Sequence, residues 1–595
     1  MKSRKDIDKQ YTWDLDKIYS SIEDFNDDYV SVNKFIKELS KYENNMMESS
    51  NNFYNAISLS FDIERLIDKL YVYSSLSFDL DTSNNECQEL CEKIGNLHSD
   101  YVKTSYFIVP SILKCDKEII DKYYEDNSNL LEYKKSIDDI YRYKKHTLSD
   151  KEEKLLSSIS RVVGNCYDTY ELFKDCDMSF GQIEDEDGKK VELTNSNYSL
   201  YIESKNREVR KCSFEMLYSE YKKYTNTFAS LLSTNMKELS TMAKISNYNS
   251  AIERSLYADD VSVDVYNNLI DSVHSNIGYI YDYYKLKKDI LGLDELHLYD
   301  VYVPITQEYD KKYDYEIAKE IILKVLNVFG DEYINKVKEA LDNRWIDVYP
   351  TKNKRTGGYS GGSYDTAPYI LLNYQNKYSD MSTLIHEMGH SMHSYYSRNY
   401  NYYQNSEYRI FVAEVASTVN ELLLSKYMIE HSENKEEKMF IIKNLMELYR
   451  ATIYRQTMFA EFEKKISNMI DNDEVLTAEK LSSIYYELNK LYFGKDVCLD
   501  DEIRYEWERI PHFYYNFYVY KYATGLSAAT IIVNNILSDK EGAVEKYIEF
   551  LKCGSKLSPV ESLKIAGVDL TNKSVIDNAL IEFKNIIDMN RENMK

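Results

Sequence analysis

Helix breakers are almost absent from this chain, and that constrains its fold more than any other feature. Only 6 prolines and 17 glycines occur among 595 residues. Proline removes a backbone donor and clashes with the preceding turn, and glycine raises the entropic cost of a helix. Where both are scarce, long helices meet few interruptions. The apolar spacing agrees. FDIERLIDKLYVYSSL (61–76) and YNNLIDSVHSNIGYIYDYYKLKKDIL (266–291) repeat hydrophobic residues every three or four positions, which lines one face of a helix. A mostly α protein is expected. At 70.2 kDa it exceeds the size at which a single core stops growing, so two lobes are expected.

Strand signals are few. SFGQIEDEDGKKVELT (179–194) has two alternating runs around an acidic, glycine-containing turn, which predicts a hairpin. HLYDVYVPI (297–305), WIDVYP (345–350) and APYILLNY (367–374) read as short strands. All three precede a histidine-rich stretch, and a small sheet beside that helix would use them. The hairpin marks the best boundary, between an N-terminal helical region at 1–200 and a second region at 201–595.

Acidic residues outnumber basic ones by 99 to 74, a net charge of −25, which repels nucleic acid. No apolar run approaches the roughly 18 residues that cross a bilayer. The opening MKSRKDIDKQYTWDL lacks the apolar centre of a signal peptide. A cytoplasmic protein without nucleic-acid or membrane partners is expected, and oligomeric state is left open. The 8 cysteines are scattered without C-x-x-C spacing, as expected of reduced, structural thiols.

Chemistry concentrates in TLIHEMGHSMH (383–393). Asp380 and Ser382 suit a helix start, and Met381, Leu384, Ile385, Met388, Met392 and Tyr395 repeat at helical spacing. On that helix His386 and His390 are i and i+4, with Cβ atoms roughly 5–6 Å apart. Two imidazoles so placed converge on one ion, and Glu387 follows the first. This is H-E-x-x-H, the zinc-peptidase signature. His393 lies two turns from His386, about 10 Å along the axis, so a straight helix cannot bring all three to one ion. It reads as packing or as a partner of a ligand.

A third ligand is expected from a following helix. Glu407, Glu414, Glu421 and Glu430 are the candidates. Glu414 stands in RIFVAEVASTVNELLL, flanked by apolar and small residues, where a carboxylate needs a partner. Zinc would be one, and an ion pair with Arg409 or Arg450 the other. Glu421 is the second choice, or a partner of a ligand. RTGGYSGG (355–362) lacks the G-K-[ST] ending of a phosphate loop. It reads as a mobile loop leading into APYILLNY, a strand that could pair with an extended peptide. Gly389, inside the helix, suggests close approach of a strand or substrate.

Four blocks, GGYSGGSYDTAPYILLNY, TLIHEMGHSMH, FVAEVAST and IPHFYYNFYVYKYATG, with YTWDLDKIY near the N-terminus, resemble in order and spacing the oligoendopeptidase F family. These are zinc peptidases like thimet oligopeptidase. The resemblance covers nearly the whole chain. It implies a two-lobed helical enzyme with a deep central channel that admits oligopeptides and excludes folded proteins. It implies one Zn2+ on His386, His390 and Glu414, with Glu387 as general base. His512 matches a substrate-binding histidine and Tyr520 a tyrosine that stabilises the oxyanion. Tyr515, Gly358 and Tyr359 are the further substrate contacts expected. The spacing after His512 is shorter than in thimet oligopeptidase. With 59 tyrosines in the chain, nearness of a Tyr to a motif carries little weight alone, and Tyr514 remains an alternative to Tyr515. Two other functions stay in view. One is a helical H-E-x-x-H zinc carboxypeptidase. The other is a metal-binding interaction protein without catalysis, against which an intact Glu387 argues.

Overall fold

The scarcity of breakers is realised as long helices. Ser50–Leu80 runs 31 residues, started by Ser49, whose side chain accepts the Asn52 N–H. The computed structural model describes residues 3–159, 163–305, 309 and 311–594. Among these, no helix is long and apolar enough to cross a membrane, and all eight cysteines are free thiols. Five helices carry the argument below: α1 (Val263–Ser275), α2 (Tyr378–Tyr400), α3 (Ile410–Glu430), α4 (Gln456–Asp471) and α5 (Tyr520–Leu537).

Packing divides the chain into two compact units, each assembled from three segments. One comprises Met1–Lys145, Asp310–Tyr427 and Ile532–Gly567. The other comprises His146–Tyr309, Met428–Ile531 and Val568–Lys595. A boundary at 200/201 is thus a division of the sequence and not of this packing.

The expected hairpin forms from β1 (Gln182–Glu184) and β2 (Lys190–Glu192), paired antiparallel. The sheet expected beside the histidine helix needs correction. It is three-stranded, in the order β4 (Ile346–Asp347), β6 (Tyr369–Leu371), β5 (Tyr359–Gly361). The 297–305 stretch does not join it. Only its first residue is extended, in β3 (Leu296–His297), which pairs with β7 (Val497–Cys498) in the second unit, and Leu298–Asp300 turns into a short 3-10 helix. The glycine-rich 355–362 stretch, expected as a mobile loop, supplies β5. It pairs antiparallel with β6, Ser360 opposite Ile370. Strand β6 is therefore the middle strand, and β4 and β5 are the two edges.

The N-terminal YTWDL is part of the first unit's core. Trp13 is buried, and its indole N–H donates to the carbonyls of Trp345 and Ile370 at 2.9 and 2.8 Å. The chain start is thereby tied across β4 and β6, and β6 is the strand that immediately precedes α2 in sequence.

Candidate active site

Helix α2 begins at Tyr378, earlier than its apolar pattern suggests. Asp380 reaches back from the first turn to accept the N–H groups of Lys377 and Gln375, both at 2.8 Å, satisfying two groups that a helix start leaves open. Met381, Leu384, Ile385, Met388 and Met392 are buried. That anchors one face and turns His386 and His390 to the other.

Gly389 explains how the third residue arrives. A Cβ at this position would lie 2.6 Å from Ser417 Cα and 2.7 Å from the Ala416 carbonyl oxygen. The close approach comes from the backbone of α3, not from a strand or substrate. Asn420 secures it by donating to the Ile385 carbonyl at 3.0 Å. With α3 this close, Glu414 meets both histidines. His386 Nε2 and His390 Nε2 are 3.2 Å apart, and Glu414 Oε2 is 3.5 Å from each. Ser417 donates to the same oxygen at 3.1 Å. The adjacent histidines hold the Glu414 pKa down at about 2, His390 most strongly, against the effect of burial. The alternative ion pairs do not form: Arg409 pairs with Asp139 and Arg450 with Glu447. Nor is Glu414 sealed in the core, since 42% of its side chain is exposed.

Glu421 is not the third ligand in this arrangement. It lies 3.3 Å from His386 Nδ1 and accepts from Ser382 at 3.3 Å. A carboxylate there fixes the tautomer that leaves Nε2 unprotonated for an ion. Burial opposes protonation of His386, but Glu421 and its fellow carboxylates outweigh it and raise the pKa. Glu387 is 7% exposed. Burial raises its pKa, offset in part by the two histidines and by the Ser360 backbone N–H that it accepts. His393 is buried under Tyr408, rings parallel at 3.6 Å, and burial lowers its pKa to about 3.

Gly358 and Tyr359 lie at edge strand β5. A Cβ on Gly358 would touch Thr383 of α2 at 3.0 Å. Tyr359 gives its hydroxyl to Asp79 at 2.5 Å, so its side chain is engaged in packing.

His512, Tyr515 and Tyr520 belong to the second unit. His512 is half-buried, which lowers its pKa. Tyr514 stacks on Tyr170 at 4.5 Å and is buried, while Tyr515 is 39% exposed and hydrogen-bonds the Tyr167 hydroxyl at 2.9 Å. Tyr520 opens α5 but is 0% exposed, its ring 5.0 Å from Tyr266. Two tyrosines flank His512: the Tyr515 ring lies 5.3 Å from its ring, and the Tyr522 hydroxyl lies 3.4 Å from its Nε2. Sequence reasoning misses Tyr522, although a signal exists. Tyr518 and Tyr522 are one helical turn apart in YVYKYATG, and Tyr520 falls on the opposite side.

Among the described residues one other group gathers possible metal ligands: Glu295, His297 and Cys498, all within 4.8 Å of one another. His297 and Cys498 are register partners across β3 and β7, and Asp500 holds His297 Nδ1 at 2.8 Å. Glu295 is 70% exposed and 3.7 Å from His297 Nε2.

The profile of peptidase family M3 matches residues 200–581, and that of oligopeptidase F matches residues 111–180. Oligopeptidase PepF of Bacillus subtilis is 40% identical over 585 residues, 98% of this chain and 87% of its own. A crystal structure from Chlamydophila abortus, 35% identical, superposes with a TM-score of 0.94 over 100% of both chains. Oligoendopeptidase-F from Enterococcus faecium, 32% identical, gives 0.74 over 96% of this chain and 99% of its own. A match that spans most of the sequence and the same helical fold place the chain in peptidase family M3, among the oligopeptidase F relatives.

Proposed function

We propose that this chain is a zinc-dependent endopeptidase that hydrolyses internal bonds of oligopeptides, with one zinc ion held by His386, His390 and Glu414. The triangle of ligand atoms carries the reading. Bonds of about 2.0–2.1 Å in a tetrahedral site put ligand atoms roughly 3.3–3.4 Å apart. Here the three separations are 3.2, 3.5 and 3.5 Å. Three protein ligands leave one position open, the pattern of catalytic rather than structural sites. Zinc, when bound, supplies Lewis acidity toward water and the scissile carbonyl.

The chain's own residues do the rest. Glu387 accepts the proton of the attacking water and returns it to the leaving amine. Its raised pKa brings it closer to the operating pH, where transfer in both directions is efficient. Glu421 orients His386. The free edge of β5 supplies main-chain groups to an extended peptide, giving affinity with little sequence preference. This corrects the expectation for APYILLNY, whose β6 is flanked on both sides. His512 and Tyr522 donate hydrogen bonds to substrate oxygen, Tyr522 taking the role expected of the buried Tyr520. Tyr515 is the more accessible of the neighbouring tyrosines and stands as a further contact. Eight free thiols support a cytoplasmic setting.

The deciding experiment digests a peptide blocked at both ends, with and without chelator, and identifies products by mass spectrometry. Internal cleavage that chelator abolishes is expected. Cleavage only after the C-terminal block is removed would point to a carboxypeptidase.

A further inference from the structure

Helix α4 carries a buried acid that no step above uses. Glu463 is 0% exposed. Its Oε1 accepts the Phe517 backbone N–H at 2.6 Å, and its Oε2 has no hydrogen-bond partner among the described residues. Burial pushes its pKa up to about 8. At neutral pH it is mostly a neutral acid, which still offers a carbonyl oxygen to an N–H group.

Phe517 needs holding. Asn516 and Phe517 have φ of +56° and +63°, two consecutive side-chain-bearing residues in the left-handed region. Asparagine tolerates that conformation, but for a bulky aromatic it is strained. The pair lies between His512 and Tyr522 and bends the chain ahead of α5. The other end of the segment rests on the same face of α4. Phe459, Phe462 and Glu463 are i, i+3 and i+4, hence neighbours on one face. Phe513, next to His512, packs 5.5 and 4.9 Å from Phe459 and Phe462. Tyr266 of α1 supports Phe517 at 6.0 Å and donates its hydroxyl to the Ala460 carbonyl at 2.7 Å. Strained conformations persist only where surroundings over-determine them, and α4 supplies those surroundings.

We propose that Glu463 is a positioning residue for catalysis: its carboxyl oxygen locks the Asn516–Phe517 turn and so fixes Tyr522 against His512. This rests on the reading of His512 and Tyr522 as substrate contacts. Glu463→Leu removes the acceptor while roughly keeping volume. A misplacement of about 1 Å can cost ~10² in rate, so kcat on the blocked peptide is expected to fall about 10- to 100-fold with bound zinc unchanged. Glu463→Gln keeps a carbonyl acceptor and restores kcat to within about threefold of wild type. Asn516→Pro is the second probe. Residue 516 is exposed, and proline cannot adopt its positive φ. Its loss should match that of Glu463→Leu, and the two should not add.

The test measures kcat, KM, zinc content and thermal unfolding for each variant and for His512→Ala. A folded, zinc-loaded Glu463→Leu enzyme with wild-type kcat would overturn the proposal. So would wild-type kcat in Asn516→Pro, should Glu463→Leu fail to fold. Turnover that merely tracks thermal stability across all variants would make Glu463 structural only. An unchanged kcat/KM in His512→Ala would instead remove the substrate-contact reading on which the proposal stands.

Discussion

The ligand cluster on α2 and α3 and the loop from Pro511 to Tyr522 both hold polar side chains a few ångströms apart, and they do so by opposite means. In the cluster, regular helix geometry sets the His386–His390 spacing, and a missing side chain at Gly389 lets α3 approach. No residue among these has a positive φ. In the loop, two left-handed residues and a buried acid do the work. A site made from helix periodicity is rigid through its own backbone. A site made from a strained turn depends on what grips it. The first should therefore resist distant changes and the second should not.

Substitutions in the two regions test this contrast, those expected to change turnover first and those expected to change stability after. Glu387→Gln should lower kcat by about 10²–10⁴, the usual worth of a general base, with zinc content unchanged. Zinc loss from the folded variant would show that Glu387 is a ligand. Tyr522→Phe should cost about 10² in kcat, as loss of one oxyanion donor does. Tyr520→Phe should cost less than about threefold. Steady-state kinetics on the blocked peptide decides, and the reverse ranking would restore Tyr520.

Gly389→Ala should destabilise the protein by about 1–3 kcal/mol, the usual cost of overpacking, because its Cβ meets backbone. Gly95 lies in another helix, where an added Cβ would meet nothing within 4 Å, and Gly95→Ala should stabilise by up to about 1 kcal/mol. Denaturant titration of both variants measures the difference. Equal responses would mean that α2 and α3 are not in backbone contact.

The last effect concerns pH. The unfolded chain releases the Glu463 proton near the ordinary carboxylate value of about 4.3, and the folded chain near 8. Between those values the folded state holds the extra proton. The stability this contributes is full below about pH 4 and is lost as pH rises through about 8. Glu463→Gln cannot ionise, so its melting temperature should gain on wild type between about pH 5 and 8. A constant difference over that range would contradict the neutral acid.

How much the sequence discloses follows the same contrast. His386, Glu387 and His390 are legible because i, i+4 spacing is itself geometry. Glu414 stands out through the resemblance carried by FVAEVAST, while the burial suggested by its apolar neighbours does not hold, since 42% of its side chain is exposed. Gly389 stands out within its helix, but what approaches it does not, since sequence does not show which backbone comes near. The glycine-rich stretch hides strand β5, whose pairing with β6 is a tertiary choice. HLYDVYVPI reads as strand, but only His297 is extended, paired with Cys498 far along the chain, and Leu298–Asp300 is a 3-10 helix that the alternation does not disclose. Tyr522 and Glu463 escape a sequence reading because the loop's shape depends on a left-handed turn and a distant helix. Glu463 leaves no periodic trace, and the Tyr518–Tyr522 spacing does not by itself show which tyrosine faces His512.

The central claim is a single catalytic zinc on His386, His390 and Glu414. Its most direct test is a zinc titration of chelator-treated protein, with turnover of the blocked peptide followed at each addition, for wild type and Glu414→Ala. Wild-type activity is predicted to rise linearly and stop at one zinc per chain, while folded Glu414→Ala neither retains zinc nor regains turnover. Activity that needs a second equivalent, or a Glu414→Ala chain that binds zinc and cleaves like wild type, would contradict the account.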